Sequence, residues 1–336
     1  MTDGALPIAL TMGEPAGIGG EVAVKAWRRR NEGVPPFFVI DDAERLERLG
    51  RDLLPHFTVQ RLSSPAETQE VFAHALPVLH RPLPATAMPG RPRLETAAAV
   101  IEAIETAVHL ACADQVLAVV TNPIHKRTLY AAGFAFPGHT EYLASLAGGA
   151  TPVMMLVCAE LRVVPVTVHV SLRQAIDSLT TDAIVHAGRI TAAALRQDFG
   201  IVEPRLAVAG LNPHAGEGGE IGREEIEIVA PAVRRLADEG IRASGPLPAD
   251  TMFGWRARHG YDAALCLYHD QALIPLKTLD FDGGVNVTLG LPFVRTSPDH
   301  GTALDIAGRG VASETSLINA LILADRIGRR RRGKTP

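Results

Sequence analysis

Residues 261–310 read YDAALCLYHDQALIPLKTLDFDGGVNVTLGLPFVRTSPDHGTALDIAGRG, and this stretch decides the fold. The apolar run at 263–267 has the length and composition of a strand that is buried on both faces of a parallel sheet. His269 and Asp270 follow at once, where that strand would reach its carboxyl end. Open α/β sheets bind their ligands at this edge. The stretch therefore predicts an α/β protein whose functional side chains lie at the carboxyl ends of strands.

Short apolar runs alternate with helical patterns along the rest of the chain. This order predicts a three-layer α/β/α architecture, in which helices cover both faces of a mostly parallel sheet. Strands are predicted at 8–12, 37–40, 116–120, 153–158, 162–168 and 206–209, and helices at 95–113 and 181–199. A chain of 336 residues exceeds the size at which a single hydrophobic core stops growing, so two lobes are expected.

The composition is that of an ordinary globular protein, with 47% apolar and 21% charged residues. The net charge of -4 gives no reason to expect a nucleic-acid partner, and the arginine-rich tail at 326–334 is interpreted as a solvated helix end. Cys112, Cys158 and Cys266 form no CxxC motif, which indicates neither a disulfide framework nor a thiolate zinc site and fits a reducing cytoplasm. No export signal or membrane span is expected, because the most apolar stretch, 153–170, contains charged residues and a proline.

The sequence GEPAGIGG at 13–20 is a glycine-rich turn between a predicted strand and a helix. It is not a Walker loop, because no Lys-Ser or Lys-Thr follows its last glycine. It matches two thirds of the dinucleotide fingerprint, and Asp41 or Asp42 would then be the acid that binds a ribose. The alternative is a tight connection that packs the helix on the sheet.

Three histidines each follow an apolar, strand-like run: His169, His214 and His269. Parallel strands bring their carboxyl ends to one edge of a sheet, so these imidazoles are expected to lie together. Neutral imidazoles, with or without a carboxylate, make an open site for a divalent cation of the zinc type. Asp250 follows another short strand, where it would join this site, orient a ligand or cap the next helix. The alternative for each histidine is a structural, hydrogen-bonded role.

Lys277, Asn286 and Arg295 lie among glycines and apolar residues, and they offer the donors that bind a phosphate dianion. The alternative is a set of surface charges. His139 and Thr140 lie near the start of a predicted helix, where exposed N–H groups attract anions. The alternative there is that Thr140 only caps the helix.

The chain closely resembles the 4-hydroxythreonine-4-phosphate dehydrogenases of bacterial vitamin B6 synthesis. The resemblance implies that His139 and Thr140 contact the substrate, as do Lys277, Asn286 and Arg295. It also implies a homodimer with a metal site shared between subunits, in which His169, His214 and His269 bind a divalent metal. The motifs that carry the resemblance are GEPAGIG, TNPIHK, FPGHTEYLA, GLNPHAGEGGEIG, GPLPADT, YHDQALIPLK and GVNVTLGLPFVRTSPDHGTALDIAGRG.

The same resemblance implies a fold like that of the isocitrate and isopropylmalate dehydrogenases. A loop similar to residues 300–308 binds the adenosine of NAD in those enzymes, so Gly301 and Asp305 are the predicted cofactor contacts. The nucleotide-side lobe is predicted at 1–133 with 296–336, and the lobe that binds metal and substrate and forms the dimer at 134–295. Ser171 departs from the family pattern, since proline is common there, and Gly20 stands where proline is usual.

The implied reaction is the oxidation of 4-phosphooxy-L-threonine with NAD or NADP, followed by decarboxylation to 3-amino-2-oxopropyl phosphate. The predicted catalytic residues are His169, His214, His269 and Lys277, and zinc is the first choice of metal, with magnesium and cobalt as alternatives. Two alternatives stay open for the reaction: a related dehydrogenase of erythronate or threonate 4-phosphate, and a metal-dependent phosphate-ester hydrolase. A binding protein without turnover is the remaining class.

Overall fold

The computed structural model describes residues 6–333 of the chain. The first five residues, on which the expectation of no export signal partly rests, and Lys334 of the basic tail lie outside that range. None of the helices among the described residues has the length and hydrophobicity that a membrane crossing requires.

Among the described residues, twelve strands account for the apolar runs. They are β1 (Ile8–Thr11), β2 (Phe37–Asp41), β3 (Val59–Arg61), β4 (Leu76–His80), β5 (Ala118–Thr121), β6 (Val153–Val157), β7 (Arg162–Pro165), β8 (Arg205–Ala209), β9 (Arg242–Leu247), β10 (Ala263–Cys266), β11 (Val285–Leu289) and β12 (Arg295–Pro298). The strands predicted from the sequence are confirmed within a few residues at their ends.

Residues 6–333 also contain thirteen α-helices, which lie between and after the strands. They are α1 (Gly19–Arg28), α2 (Ala43–Leu53), α3 (Thr68–Phe72), α4 (Ala97–Cys112), α5 (Lys126–Ala131), α6 (His139–Leu146), α7 (Leu172–Ser178), α8 (Thr181–Gln197), α9 (Ala230–Asp238), α10 (Ala249–Met252), α11 (Trp255–Arg258), α12 (His269–Leu279) and α13 (Thr315–Arg331). A π-helical turn, Glu225–Val229, leads directly into α9.

The chain divides into two compact units, the first formed by Met1–Pro152 with Leu291–Pro336. Its described strands run in the order β3-β4-β2-β1-β5-β12, and all of them are parallel. Every residue of β1, β2 and β5 is buried, which means that both faces of this sheet are covered. Helix α4 packs on the face that presents Ala9, Phe38 and Val119.

The second unit is the continuous segment Val153–Gly290. Its described strands run in the order β11-β6-β7-β10-β8-β9. Strand β6 pairs antiparallel with β11 and β7, and the pairs β7-β10, β10-β8 and β8-β9 are parallel. The predicted α/β class with a mostly parallel sheet is confirmed.

The boundaries between the units differ from the predicted ones. The sequence placed them after residues 133 and 295. In the structure, the first boundary lies after Pro152 and the second lies before Leu291, where the chain returns to the first unit. The reason is that α6 packs against α4, so its residues belong to the first unit. His139 and Thr140 therefore lie in the first unit. The roles assigned to the two lobes stay predictions.

Candidate active site

The second unit brings the carboxyl ends of three histidine-bearing strands to one edge. Strand β10 lies between β7 and β8 and is parallel to both. His169 follows β7, His214 follows β8 and His269 follows β10. The common edge that the sequence predicted for these histidines is confirmed, and their role as metal ligands stays a prediction.

Two polar side chains tie these strand ends together. The Thr167 hydroxyl donates to the carbonyl of Leu267 at 2.8 Å, which joins the segment of His169 to that of His269. Gln271 Oε1 accepts from the N–H of Leu267 at 2.6 Å, and its Nε2 donates to the carbonyl of Gly210 at 2.7 Å. Because Gln271 is buried, these bonds fix the segment of His214 against that of His269.

His169 and His269 form the centre of the edge. Their ring centroids are 6.0 Å apart. His269 Nδ1 lies 2.7 Å from Asp270 Oδ1, an arrangement that leaves Nε2 to face a ligand and fixes the ring. Both rings line a cavity of about 230 Å³. Its other lining residues are Thr167, Val170, Leu172, Ala175, Tyr268 and Asp270.

His214 lies on a turn whose backbone is in the left-handed conformation, which L-residues other than glycine rarely adopt. Residues 214–218 all have positive φ, between 42° and 80°. Left-handed backbone costs roughly 1–2 kcal/mol for each residue that is not glycine, and such strain collects at functional sites. The sequence predicted an irregular loop here, and the structure adds its handedness.

The buried carboxylate of Glu225 holds that turn. Its Oε1 accepts from the N–H groups of Leu211 and Asn212, each at 2.7 Å, and its Oε2 accepts from Asn212 Nδ2 at 2.9 Å. A Cβ on Gly216 would lie 2.6 Å from Glu225 Oε2, so the turn wraps closely around the carboxylate. Glu225 belongs to the π-helical turn, a form of helix that is frequent at functional sites.

The donor set at this edge fits a divalent cation. Imidazoles suit zinc and related metals, and a cavity beside them leaves room for a substrate. In residues 6–333, only Asp42, Glu44 and His80 place three ligand atoms within 4.8 Å of one another, and the three histidines are more widely spaced. Asp42 accepts from the N–H groups of Arg45 and Leu83, and His80 Nδ1 accepts from that of Ala43, so these groups already have structural roles.

The predicted phosphate-binding residues lie in different units. Lys277 lies on α12, eight residues after His269, and its Nζ is 5.2 Å from the centroid of the Phe281 ring. Asn286 lies on β11, and its Oδ1 is shielded from solvent and has no hydrogen-bond partner within residues 6–333. Arg295 begins β12 in the first unit. Asp250 is exposed on α10, where it does not cap the helix.

Arg295 lies at the amino end of β12, and its side chain reaches the carboxyl end of the neighbouring strand β5. The guanidinium is buried, and its Nη2 donates to Thr121 Oγ1 at 2.6 Å. Burial lowers the pKa of Arg295 to about 10, and Glu141 opposes this effect, so the group is charged at neutral pH. A buried, planar guanidinium of this kind is suited to bidentate contact with a phosphate or a carboxylate.

His139 lies close to that cation at the first residue of α6. Burial holds the pKa of His139 well below its usual range, and the positive charges of Arg295 and Lys126 lower this pKa further. Its Nε2 is shielded from solvent and has no hydrogen-bond partner in the described part of the chain. A neutral imidazole in this position can exchange a hydrogen bond with a ligand. The cap of α6 is Gly138, so the alternative that Thr140 caps the helix is wrong.

Sequence reasoning missed the residues that surround His139 and Arg295. Thr121 contacts Arg295, Glu141 lies on α6 near it, and Lys126 begins α5. A Cβ on Gly138 would lie 3.4 Å from Lys126 Nζ and 3.3 Å from Glu141 Oε2. The available signal was position, because Thr121 is the last residue of β5 and Lys126 follows it shortly afterwards.

The predicted cofactor residues lie on an irregular segment between β12 and α13. Gly301 and Asp305 are both exposed there. The alternative ribose acid, Asp41, is wrong, because its fully buried carboxylate accepts from Arg45 Nη1 at 2.6 Å. Asp42 caps α2 by accepting from the Arg45 N–H. An exposed acid on a turn, such as Asp305, fits a ribose diol better than either of them.

Known proteins match nearly the whole chain. The family model described as pyridoxal phosphate biosynthetic protein PdxA matches residues 34–324. The chain is 54% identical to 4-hydroxythreonine-4-phosphate dehydrogenase of Caulobacter vibrioides over 331 residues, which covers 97% of this chain and 98% of the relative. The crystal structure of 4-hydroxythreonine-4-phosphate dehydrogenase from Klebsiella pneumoniae matches with a TM-score of 0.87 and 40% identity, over 96% of this chain and 100% of that chain.

A less similar structure has the same fold, and its name gives a different activity. The terephthalate 1,2-cis-dihydrodiol dehydrogenase of Burkholderia xenovorans LB400 matches with a TM-score of 0.64 and 29% identity, over 96% of this chain and 98% of that chain. These matches cover both units.

Proposed function

This chain belongs to the PdxA family of pyridoxal phosphate biosynthetic proteins and is an oxidoreductase that acts on a CH–OH group, and we propose that its substrate is 4-phosphooxy-L-threonine. The C3 hydroxyl is oxidised with NAD, and the resulting 2-amino-3-oxo acid loses carbon dioxide to give 3-amino-2-oxopropyl phosphate. NADP is the alternative cofactor. The observation that carries the proposal is the common strand edge of His169, His214 and His269 in a member of this family.

The three imidazoles would hold a divalent cation, with zinc as first choice. A cation there supplies Lewis acidity, which lowers the pKa of a hydroxyl group and stabilises negative charge on oxygen. The residues of the chain do the positioning: the bonds of Thr167 and Gln271 hold the strand ends, and Asp270 orients His269. The general base is not assigned.

Substrate contacts are proposed on both units. His139, Thr140 and Arg295 of the first unit and Lys277 and Asn286 of the second are the candidates. Arg295 has the strongest support, because a buried guanidinium is pre-organised for an anion. Phosphate binding far from the reacting carbon supplies orientation, so Arg295→Ala should reduce kcat as well as raise KM.

Gly301 and Asp305 are proposed to contact the adenosine part of NAD. The support is the resemblance of residues 300–308 to a cofactor loop, together with the exposure of the Asp305 carboxylate. We further propose a cytoplasmic homodimer with a shared metal site. Val170, Leu172 and Ile176 support the dimer, because these apolar side chains are exposed beside the histidine cavity.

The test of this function is an absorbance assay for the reduced nicotinamide. Purified protein, NAD and zinc are mixed with 4-phosphooxy-L-threonine, or with erythronate or threonate 4-phosphate. We expect a signal with the threonine compound alone, and a chelator should abolish it. A signal only with the sugar acids would replace the substrate and keep the reaction class.

Two variants connect the assay to the residues. His269→Ala should lose both zinc and activity, and retention of both would remove the three-histidine site. Asp305→Ala should weaken NAD binding and leave zinc binding intact. Release of phosphate from these compounds without NAD would support the hydrolase instead, a reading that family membership disfavours.

A further inference from the structure

Two loops of the first unit, residues 13–18 and 299–314, touch along their backbones. The Ile18 N–H donates to the carbonyl of Thr302 at 3.1 Å. A Cβ on Gly17 would lie 2.8 Å from that carbonyl oxygen, so only glycine permits the approach. The second loop carries Gly301 and Asp305. Its conformation therefore depends on the start of α1.

Helix α1 also holds the far end of the second loop, through an ion pair. Lys25 Nζ donates to the carbonyls of Gly310 at 2.8 Å and Ala312 at 2.5 Å. Glu21 Oε1 accepts from the Ala312 N–H at 3.1 Å and lies 3.3 Å from Lys25 Nζ. The Glu21 side chain is 1% exposed and that of Lys25 is 16% exposed. One turn of α1 thus satisfies three backbone groups of a segment nearly 300 residues away in sequence.

A buried ion pair is a poor way to gain stability, because desolvation offsets most of the attraction. Apolar side chains at 21 and 25 would cover the same surface at no electrostatic cost. They would leave the polar groups of Gly310 and Ala312 unsatisfied, and the backbone of the loop would have to rearrange. The pair is therefore suited to fixing one conformation of the loop rather than to holding the fold together.

We propose that Glu21 and Lys25 are positioning residues for nucleotide binding, acting through the loop at 299–314. The Glu21–Lys25 pair fixes the C-terminal end of this loop, Gly17 and Ile18 fix its start, and Asp305 is held between them. The inference rests on the proposed function, in which Gly301 and Asp305 contact the adenosine of NAD. It predicts that changes in the pair affect NAD and leave the metal site of the other unit unchanged.

The test uses the full-length variants Lys25→Met and Glu21→Leu. We expect the dissociation constant and KM for NAD to rise about tenfold or more, within the range that a displacement of about 1 Å produces, while kcat at saturating NAD and zinc affinity stay near wild type. Glu21→Gln keeps an acceptor for the Ala312 N–H and should recover most of the affinity. Hydrogen exchange at residues 301–312 should speed up in the first two variants.

Trp27→Phe is the matched control, because it removes a buried hydrogen bond of the same helix, from Trp27 Nε1 to the Phe72 carbonyl at 2.9 Å. An equal loss of NAD affinity in this control would overturn the proposal, since general destabilisation would then explain all variants. Wild-type NAD affinity in Lys25→Met would also overturn it. Should the wild type bind no NAD, the proposed function fails on its own, and unchanged exchange in Lys25→Met would then reject the positioning role.

Discussion

At the scale of single residues, the first unit surrounds one buried cation with groups that modulate it. Arg295 has Thr121 as a direct partner, Glu141 as the nearby acid and His139 as a neutral neighbour. Charged groups are rarely buried without such compensation. Two properties of this arrangement can be tested with single substitutions: the protonation state of His139 and the orientation of the Arg295 side chain.

Replacing His139 should change how stability depends on pH. The folded state lowers the pKa of His139 from 6.5, so only the unfolded chain binds this proton near pH 6. The contribution of neutral His139 to the free energy of unfolding is therefore fully present above about pH 6.5. It is lost as the pH falls, because the unfolded chain takes up the proton, by at most ~1.4 kcal/mol per pH unit. Urea unfolding measures this effect. Between about pH 7.5 and about pH 5.5, the free energy of unfolding should fall by about 1 kcal/mol less in His139→Gln than in the wild type.

His186→Gln is the control for this experiment, because His186 is exposed on α8. Equal pH dependence in wild type and His139→Gln would show that His139 is protonated as readily in the folded protein as in the unfolded chain.

Thr121→Val should reduce kcat/KM for the phosphorylated substrate about tenfold, since a charge-assisted hydrogen bond contributes about 1.5–3 kcal/mol. The variant removes the acceptor of Arg295 Nη2 and keeps the shape of the side chain. Thr296→Val is the matched control, because its hydroxyl donates to the Ala320 carbonyl on α13. Steady-state kinetics compare the two, and an equal loss in both would assign the effect to the strand rather than to Arg295.

At the scale of elements, the site is made by strand ends and by the groups that hold them. The order β7-β10-β8 brings three histidine-bearing segments side by side, and Thr167, Gln271 and Glu225 fix the segments that follow. The histidines provide the chemistry, whereas these three residues determine where the histidines lie.

Replacing Glu225 should weaken metal binding without removing a ligand. Glu225→Gln loses the charge that organises the turn of His214, and we expect zinc affinity to fall about 10- to 100-fold, the usual effect of losing a group that orients a ligand. Titration against a competing chelator dye measures this directly. Glu224→Gln, which changes a carboxylate with a single contact to Asn212, should have a smaller effect.

An equal zinc affinity in Glu225→Gln and wild type would mean either that His214 binds no metal or that its turn keeps its shape without the carboxylate. Circular dichroism of the variants with and without zinc separates these two explanations.

The elements could be predicted from the sequence where a simple periodicity governs them. The runs that became β8 and β10 are short and apolar, and a histidine follows each of them. The left-handed turn at 214–218 could not be predicted, because three of its residues are not glycine and the hydrogen bonds that Glu225 accepts beside it join residues that are apart in sequence. Thr121 and Gln271 were missed for a similar reason, since the partner Arg295 of Thr121 and the partner Gly210 of Gln271 are distant in sequence.

At the scale of the whole molecule, the second unit is one continuous segment that interrupts the first. The sequence predicted two lobes from length alone and grouped α6 with the second of them, whereas in the structure α6 packs against α4 in the first unit. A helical pattern shows which residues are apolar and not which neighbour they meet. Tyr142 and Leu143 of α6 are buried in the same core cluster as α4, and this packing decides the boundary.

Leu172→Glu should dissociate the proposed homodimer. Leu172 is 57% exposed on α7, next to the histidine cavity, and a charge there would have to be desolvated in an interface. Sedimentation should give twice 35.8 kDa for the wild type and 35.8 kDa for the variant. Val202→Glu, at a position that is 83% exposed in the same unit, should leave the mass of the wild type unchanged.

A monomeric wild type would reject the dimer, and with it the sharing of the metal site. Zinc affinity of Leu172→Glu gives a second readout, because a shared site weakens when the subunits separate.

The turn that carries His214 has a consequence for chirality. Along residues 214–218 the backbone adopts the torsion angles that a chain of D-amino acids would prefer. A positive φ such as that of Gly218 is the one a D-alanine prefers. The Cβ of an L-alanine at Gly218 would meet open space, so only the sign of φ penalises the L form there. The backbone of these residues has the hand of a mirror-image helix, and glycine, the one achiral residue of the genetic code, occupies two of the five positions.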